Sequence, residues 1–250
     1  MKSQRQELTI VLALIGLGMA LYSLRWLLFP GPLLHNEMWR FLVGDIAFLF
    51  LQIAVVTLLV DRMLREREKQ AMLRKLNMVI GAFFSQLGTE LLGKLAVADK
   101  NVDEVRSSLV PNSSWDSGAY DSARKALAEH KTDINLSSCD LNDLKDLLVE
   151  QKPFLLNLLG NQSLLEHEAF TELLWAVTHL AEELEARASF EDIVVADRIH
   201  LSGDVKRAYT QLVLQWLEYV RHLQDQYPYL FSLAVRLNPL DPNAHATISE

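Results

Sequence analysis

The chain has 250 residues, half of them apolar, a net charge of −8 at pH 7 and one cysteine, Cys139. A single thiol excludes an intrachain disulfide framework and a thiolate metal cage, and it suits a reducing compartment. The charge is uneven: residues 1–75 hold ten Lys/Arg against six Asp/Glu, leaving fourteen basic and twenty-six acidic residues for the rest. So acidic a distal part repels phosphate backbones, and no bulk nucleic-acid binding is expected.

Two apolar stretches come first in the chain. Leu8–Phe29 carries one charge, Arg25, and Phe41–Val60 carries one, Asp45. Crossing a hydrocarbon core of roughly 30 Å takes about 20 residues of helix, which both stretches supply. They predict a transmembrane hairpin over residues 1–61 with spans at about 8–29 and 41–60, turning at Pro30-Gly31-Pro32. Lys2 and Arg5 precede the first span, and Arg62, Arg65, Arg67, Lys69, Arg74 and Lys75 follow the second. By the positive-inside rule both termini are cytoplasmic and the protein sits in the inner (plasma) membrane. Tyr22, Trp26 and Trp39 fall at the outer ends, where amphipathic rings meet headgroups. In an antiparallel hairpin Arg25 and Asp45 lie at one depth, about 6 Å inside the outer boundary. Buried charges are tolerated when paired, so the two are expected to form an ion pair, within one hairpin or between subunits.

No Gly or Pro interrupts residues 45–80, so the second helix is expected to run on through a charged stalk, DRMLREREKQAMLRK. Leu76, Ile80, Phe83, Leu87, Leu91 and Leu95 then recur at spacings of three and four, an amphipathic stripe that completes a 62–98 segment. Gly81, Ser85 and Gly88 make a parallel small-residue stripe, read as a close-packing face or a self-association face.

Residues 99–237 read as a cytoplasmic helical domain. PNSSWDSGAYDS (111–122) is a loop by composition. A short helix follows from Ser122 to His130, and Asp140 caps the next, in which Pro153 either kinks the helix or opens another. Gly160-Asn161 stops it, Ser163 and Glu166 form a capping box for a helix over 164–187, and a long helix runs from about Gly203 to Gln226. Residues 238–250, with two prolines and few apolar side chains, are expected to be disordered. Nothing alternates with a period of two, so the fold class is all-α, a hairpin followed by a helical bundle.

Candidate chemistry is thin. Glu168, Glu172, His179 and Glu183 lie near one helical face, but the local order is His179-x-x-Glu182, and no partner helix is expected to repeat it. A solvated acidic face is therefore expected, with no metal and no cofactor. Arg124 and His130 in RKALAEH match the loose Arg/His spacing of HEPN-type helical ribonucleases, where Arg steadies phosphate and His moves the proton. No phosphate loop, dinucleotide fingerprint, nucleophile elbow or His-Glu-x-x-His is present.

The runs KLNMVIGAFFSQLGTELL (75–92) and SLLEHEAFTELLWAVTHLAEELEAR (163–187) resemble uncharacterised prokaryotic two-span membrane proteins. The resemblance covers less than a fifth of the chain. It implies a membrane-anchored helical domain and brings no activity or site residue.

Three functions follow as expectations. The first is a non-enzymatic membrane-anchored module that docks a cytoplasmic protein partner or a second copy of itself. The second is an oligomeric pore whose hairpins present Arg25, Asp45 and Gln52 to an opening. The third is a tethered ribonuclease acting through Arg124 and His130.

Overall fold

The computed structural model describes residues 2–28, 37–161, 164 and 167–247. The expected turn at Pro30-Gly31-Pro32 and the Ser163–Glu166 capping pair lie outside the described residues. The helices are α1 Lys2–Leu28, α2 Glu37–Phe83, α3 Thr89–Ala96, α4 Val102–Arg106, α5 Ser117–Glu129, α6 Leu141–Leu159, α7 Glu168–Glu185, α8 Val195–Gln226 and α9 Pro228–Arg236. Among the described residues the only β contact is an isolated bridge between Asp99 and Ile134. The protein is all-α, as the absence of period-two patterning requires.

The chain divides into two compact units, Met1–Met72 and Leu73–Glu250. In the first, α1 and α2 approach closely at small residues. A Cβ on Gly18 would sit 3.3 Å from the Ala47 carbonyl oxygen, and Ala47 and Ala54 are fully buried. The Arg25 side chain lies against Gly44, where a Cβ would sit 2.5 Å from its Nη1 and the guanidinium would have to move aside. Contacts of 18 with 47 and 25 with 44 fix the two helices as antiparallel. The larger apolar side chains point outward, among them Met19, Trp26, Leu27, Phe48, Val56 and Leu59. One helix is long and apolar enough to cross a membrane among the described residues, within Gly44–Ala96; the apolar stretch Leu12–Leu28 is shorter.

The second unit holds one hydrophobic core, and the predicted stripe enters it intact: Leu76, Ile80, Phe83, Leu87, Leu91 and Leu95 are all buried. Between α2 and α3 the helix widens into a π-turn, Phe84–Gly88. The Thr89 amide and hydroxyl both donate to the Phe84 carbonyl, the hydroxyl at 2.8 Å. The extra residue lets two adjacent rings face inward. Phe83 meets Phe170 edge-on at 5.4 Å, while Phe84 stacks on Tyr219 at 5.0 Å. Gly88 leaves room for them, since a Cβ there would fall 2.6 Å from the Phe83 ring.

α7 packs between α6 and α8, and α8 also meets α3, α5 and α9. Asp140 caps α6 as expected, its carboxylate accepting from the amides of Asn142 and Asp143 at 3.0 and 3.1 Å. α6 continues through Pro153 to Leu159 and ends at Gly160. Asp116 caps α5 from inside the expected loop, so this helix starts five residues before Ser122. α7 begins at Glu168, where His167 Nδ1 accepts from the Phe170 amide at 3.1 Å.

Two further expectations differ from the structure. α8 begins at Val195 rather than near Gly203, so that glycine is interior to the helix. The tail does not start as free chain: Asn238 and Leu240 are fully buried, and Asn238 Nδ2 donates to the Leu109 carbonyl at 3.1 Å. Its Oδ1 accepts the Leu240 amide at 3.0 Å, so one buried side chain fastens the start of the tail to the domain.

Candidate metal centre

α7 and α8 run antiparallel in register, and their facing surfaces carry the same pair of residue types. On α7 these are His179 and Glu183, four residues apart; on α8 they are His200 and Asp204, again four apart. A spacing of four puts both side chains of each pair on one helical face. One donor atom from each residue lies within 4.8 Å of the other three. His179 Nε2 is 3.6 Å from Asp204 Oδ1 and 3.9 Å from Glu183 Oε1. His200 Nε2 is 3.4 Å from Asp204 Oδ2 and 3.6 Å from Glu183 Oε2.

Two arginines frame the cluster. Arg187 binds Glu183 Oε2 through Nη1 at 2.8 Å and holds Asp197 with Nε and Nη2 at 3.0 and 2.5 Å. These hydrogen bonds keep the Glu183 and Asp197 carboxyls below the usual carboxylate range. Arg207 donates to Asp204 Oδ1 at 3.1 Å. Asp204 is 3% exposed, and its Oδ2 has no hydrogen-bond partner. A groove lined by Glu172, Trp175, Ala176, His179, Arg207 and Gln211 opens on the surface beside it. Two imidazoles and two carboxylates in this arrangement can hold a divalent cation.

The sequence reading assigned His179 and Glu183 to a solvated face. Glu168 and Glu172 are indeed exposed, but His179 and Glu183 turn toward α8. Of the other half, His200 was hidden because the helix was expected to start only at Gly203, which left Asp204 without its partner one turn earlier. The repeated signal is His-x-x-x-Glu on one helix and His-x-x-x-Asp on the next.

The other singled-out residues are placed as follows. Arg25 lays its guanidinium against Gly44, one residue from Asp45, and Asp45 is exposed. Gly81 faces the Tyr219 ring, Gly88 is buried, and Ser85 is exposed. Gln52 is exposed. Arg124 and His130 are not brought into one site. Arg124 pairs with Glu218 on α8, while the His130 side chain, 2% exposed, has Nε2 at 2.7 Å from buried Asp99. An imidazole so enclosed is not open to a substrate in this structure. Cys139 is half-buried and burial pushes its thiol upward, a structural cysteine rather than a nucleophile.

Fold and cluster together define an all-α protein of two helical units, the larger of which carries a His/carboxylate cluster between two long helices. The chain belongs to the MJ1433 family. Residues 2–64 match the family described as "MJ1433, N-terminal helical domain", and residues 72–236 match "Uncharacterized protein MJ1433, C-terminal helical domain". The chain is 40% identical over 241 residues, 96% of each protein, to the Uncharacterized protein MJ1433 of Methanocaldococcus jannaschii. No solved structure matches it.

Proposed function

We propose that the protein is a membrane-anchored helical module. α1 and the first part of α2 cross the cell membrane as a hairpin with both termini cytoplasmic. The acidic second unit is held at the cytoplasmic face, where it docks a protein partner or a second copy. The observation that carries this reading is the outward apolar surface of the first unit. Met19, Trp26 and Leu27 on α1 and Phe41, Phe48, Leu49 and Leu59 on α2 are all more than half exposed. Soluble monomers rarely expose apolar patches beyond a few hundred Å², so a band on this scale needs lipid or protein against it. The interface inside the pair is made of Gly18, Gly44, Ala47 and Ala54, as expected of helices whose backbones approach closely in lipid. Basic residues from Arg62 to Lys75 fall beyond the second apolar stretch, on the side that the positive-inside rule places in the cytoplasm.

Fractionation followed by cysteine mapping tests the reading. In a Cys139→Ser background, single cysteines at positions 34 and 70 are exposed to a membrane-impermeant maleimide in intact cells. The chain resists alkaline carbonate extraction, position 34 is labelled from outside, and position 70 is labelled only after lysis. Release by carbonate, or equal labelling of both positions in intact cells, rules the anchor out.

A further inference from the structure

We propose that His179, Glu183, His200 and Asp204 form a binding site for one first-row transition dication of the zinc class, which clamps α7 to α8. The argument begins with Asp204. A carboxylate that is 3% exposed and has one oxygen without a hydrogen-bond donor is costly to bury. That oxygen, Oδ2, faces His200 Nε2 at 3.4 Å, within the cluster. A cation there would satisfy the oxygen that the protein leaves without a donor.

Geometry and donor chemistry agree with this. Zinc bonds to imidazole nitrogen and carboxylate oxygen are about 2.0–2.2 Å, which places neighbouring donors of a tetrahedron about 3.3–3.6 Å apart. To the two carboxylate oxygens that carry no arginine donor, the imidazole separations are 3.9 Å (His179 Nε2 to Glu183 Oε1) and 3.4 Å (His200 Nε2 to Asp204 Oδ2), and one donor atom from each of the four residues lies within 4.8 Å of the other three. Side-chain rotations that draw the widest-set donors in from 4.8 Å, by up to about 1.5 Å, close the set. Each carboxylate is also oriented from outside: Arg207 takes Asp204 Oδ1 and Arg187 takes Glu183 Oε2. The oxygens without an arginine donor, Glu183 Oε1 and Asp204 Oδ2, remain for the ion, the arrangement by which outer groups fix metal-ligating carboxylates. Arg187 is itself matched by Asp197, so it does not cancel the charge of Glu183 alone. Two imidazole nitrogens select against Mg2+ and Ca2+, which take oxygen donors. With two residues from each helix, the ion would link α7 and α8 directly, and the 54% exposure of the His200 side chain leaves it a path from solvent.

The test uses the full chain in detergent, stripped with a chelator and dialysed against Zn2+ or Co2+. Elemental analysis then returns one ion per chain, and the Co2+ form shows the intense visible absorption of a four-coordinate ion. Excess Mg2+ does not displace it, and thermal unfolding moves to higher temperature with Zn2+. His200→Ala removes an exposed side chain, and Asp204→Asn removes charge without changing shape, so both are expected to keep wild-type helicity by circular dichroism. Each weakens Zn2+ binding by roughly a hundredfold or more, whereas Glu168→Gln, outside the cluster, leaves it unchanged. Less than one equivalent of Zn2+ in the wild-type chain, or undiminished binding in the folded His200→Ala/Asp204→Asn double variant, overturns the proposal and leaves the cluster as an ion-pair network.

Discussion

Asp99 shows how one buried residue can organise a segment without any role in chemistry. Its Oδ1 accepts the amides of Asn101 and Asp133, each at 3.1 Å, and its Oδ2 lies 2.7 Å from His130 Nε2. The side chains of Asp99 and His130 are 0% and 2% exposed. Two sequence-distant stretches, around 99–101 and 130–133, are thereby tied at one carboxylate. Removing one partner of such a pair leaves the other buried and unsatisfied, which costs more than the pair contributes while intact. His130→Ala is expected to destabilise the chain by about 3 kcal/mol in chemical denaturation. His130→Gln, which can still present an N–H, recovers part of that loss. If His130→Ala unfolded at the wild-type midpoint, His130 would have to be sought in chemistry after all.

Helix pairing follows the same logic on a larger scale. α5 is held to α8 by a polar chain in which the Tyr120 hydroxyl donates to Gln224 Oε1 at 2.8 Å and Gln224 Nε2 donates to the Trp115 carbonyl at 3.0 Å. Burial, with the nearby charge of Asp225 adding to it, pushes the Tyr120 hydroxyl up to about 12. The folded state therefore holds this proton more tightly than the unfolded chain, where a tyrosine titrates near 10. The resulting stability is complete below about pH 10 and is lost as pH rises from there toward 12. Tyr209 and Tyr219 are displaced upward by burial too, and act in the same direction. Denaturation midpoints measured across this window should fall with pH. Tyr120→Phe should start lower, having lost its hydrogen bond, and fall less steeply; an unchanged slope would show that this tyrosine is not responsible.

The same elements show what a linear reading reaches. The stripe from Leu76 to Leu95 was legible because a 3.6-residue period is local, and every one of its positions is buried. The Asp140 cap was legible for the same reason: donor and acceptor lie within three residues. The start of α8 was not, because Gly203 has the look of a boundary, whereas an exposed interior glycine costs the helix only about 1 kcal/mol. That misplaced boundary also concealed His200, four residues before Asp204. The Asp99–His130 pairing and the fastening of Asn238 to Leu109 depend on residues 31 and 129 positions apart, which periodicity does not bring together.

For the whole molecule, two independent divisions fall in nearly the same place. The structure divides into Met1–Met72 and Leu73–Glu250, and the family similarity breaks between residues 64 and 72. The connected core from Leu76 to Leu240 lies entirely within the second unit. The apolar outer face of α1 and α2 lies mainly in the first. A domain that has its own core can fold alone, and its boundary belongs where few contacts cross. A fragment of residues 66–250, which keeps two turns of α2 ahead of Leu73 to absorb fraying, is expected to be soluble without detergent. It should unfold cooperatively within a few degrees of the full chain in detergent, and it should fail to sediment with membranes. The charge partition reinforces this outcome. Half of the positive excess of residues 1–75 lies before the cut, and residues 66–250 hold eighteen basic against twenty-eight acidic residues, a net charge that anionic lipid repels. A fragment that aggregates would show that the second unit does not fold alone, and one that still sediments with vesicles of anionic lipid would show that the second unit itself binds lipid.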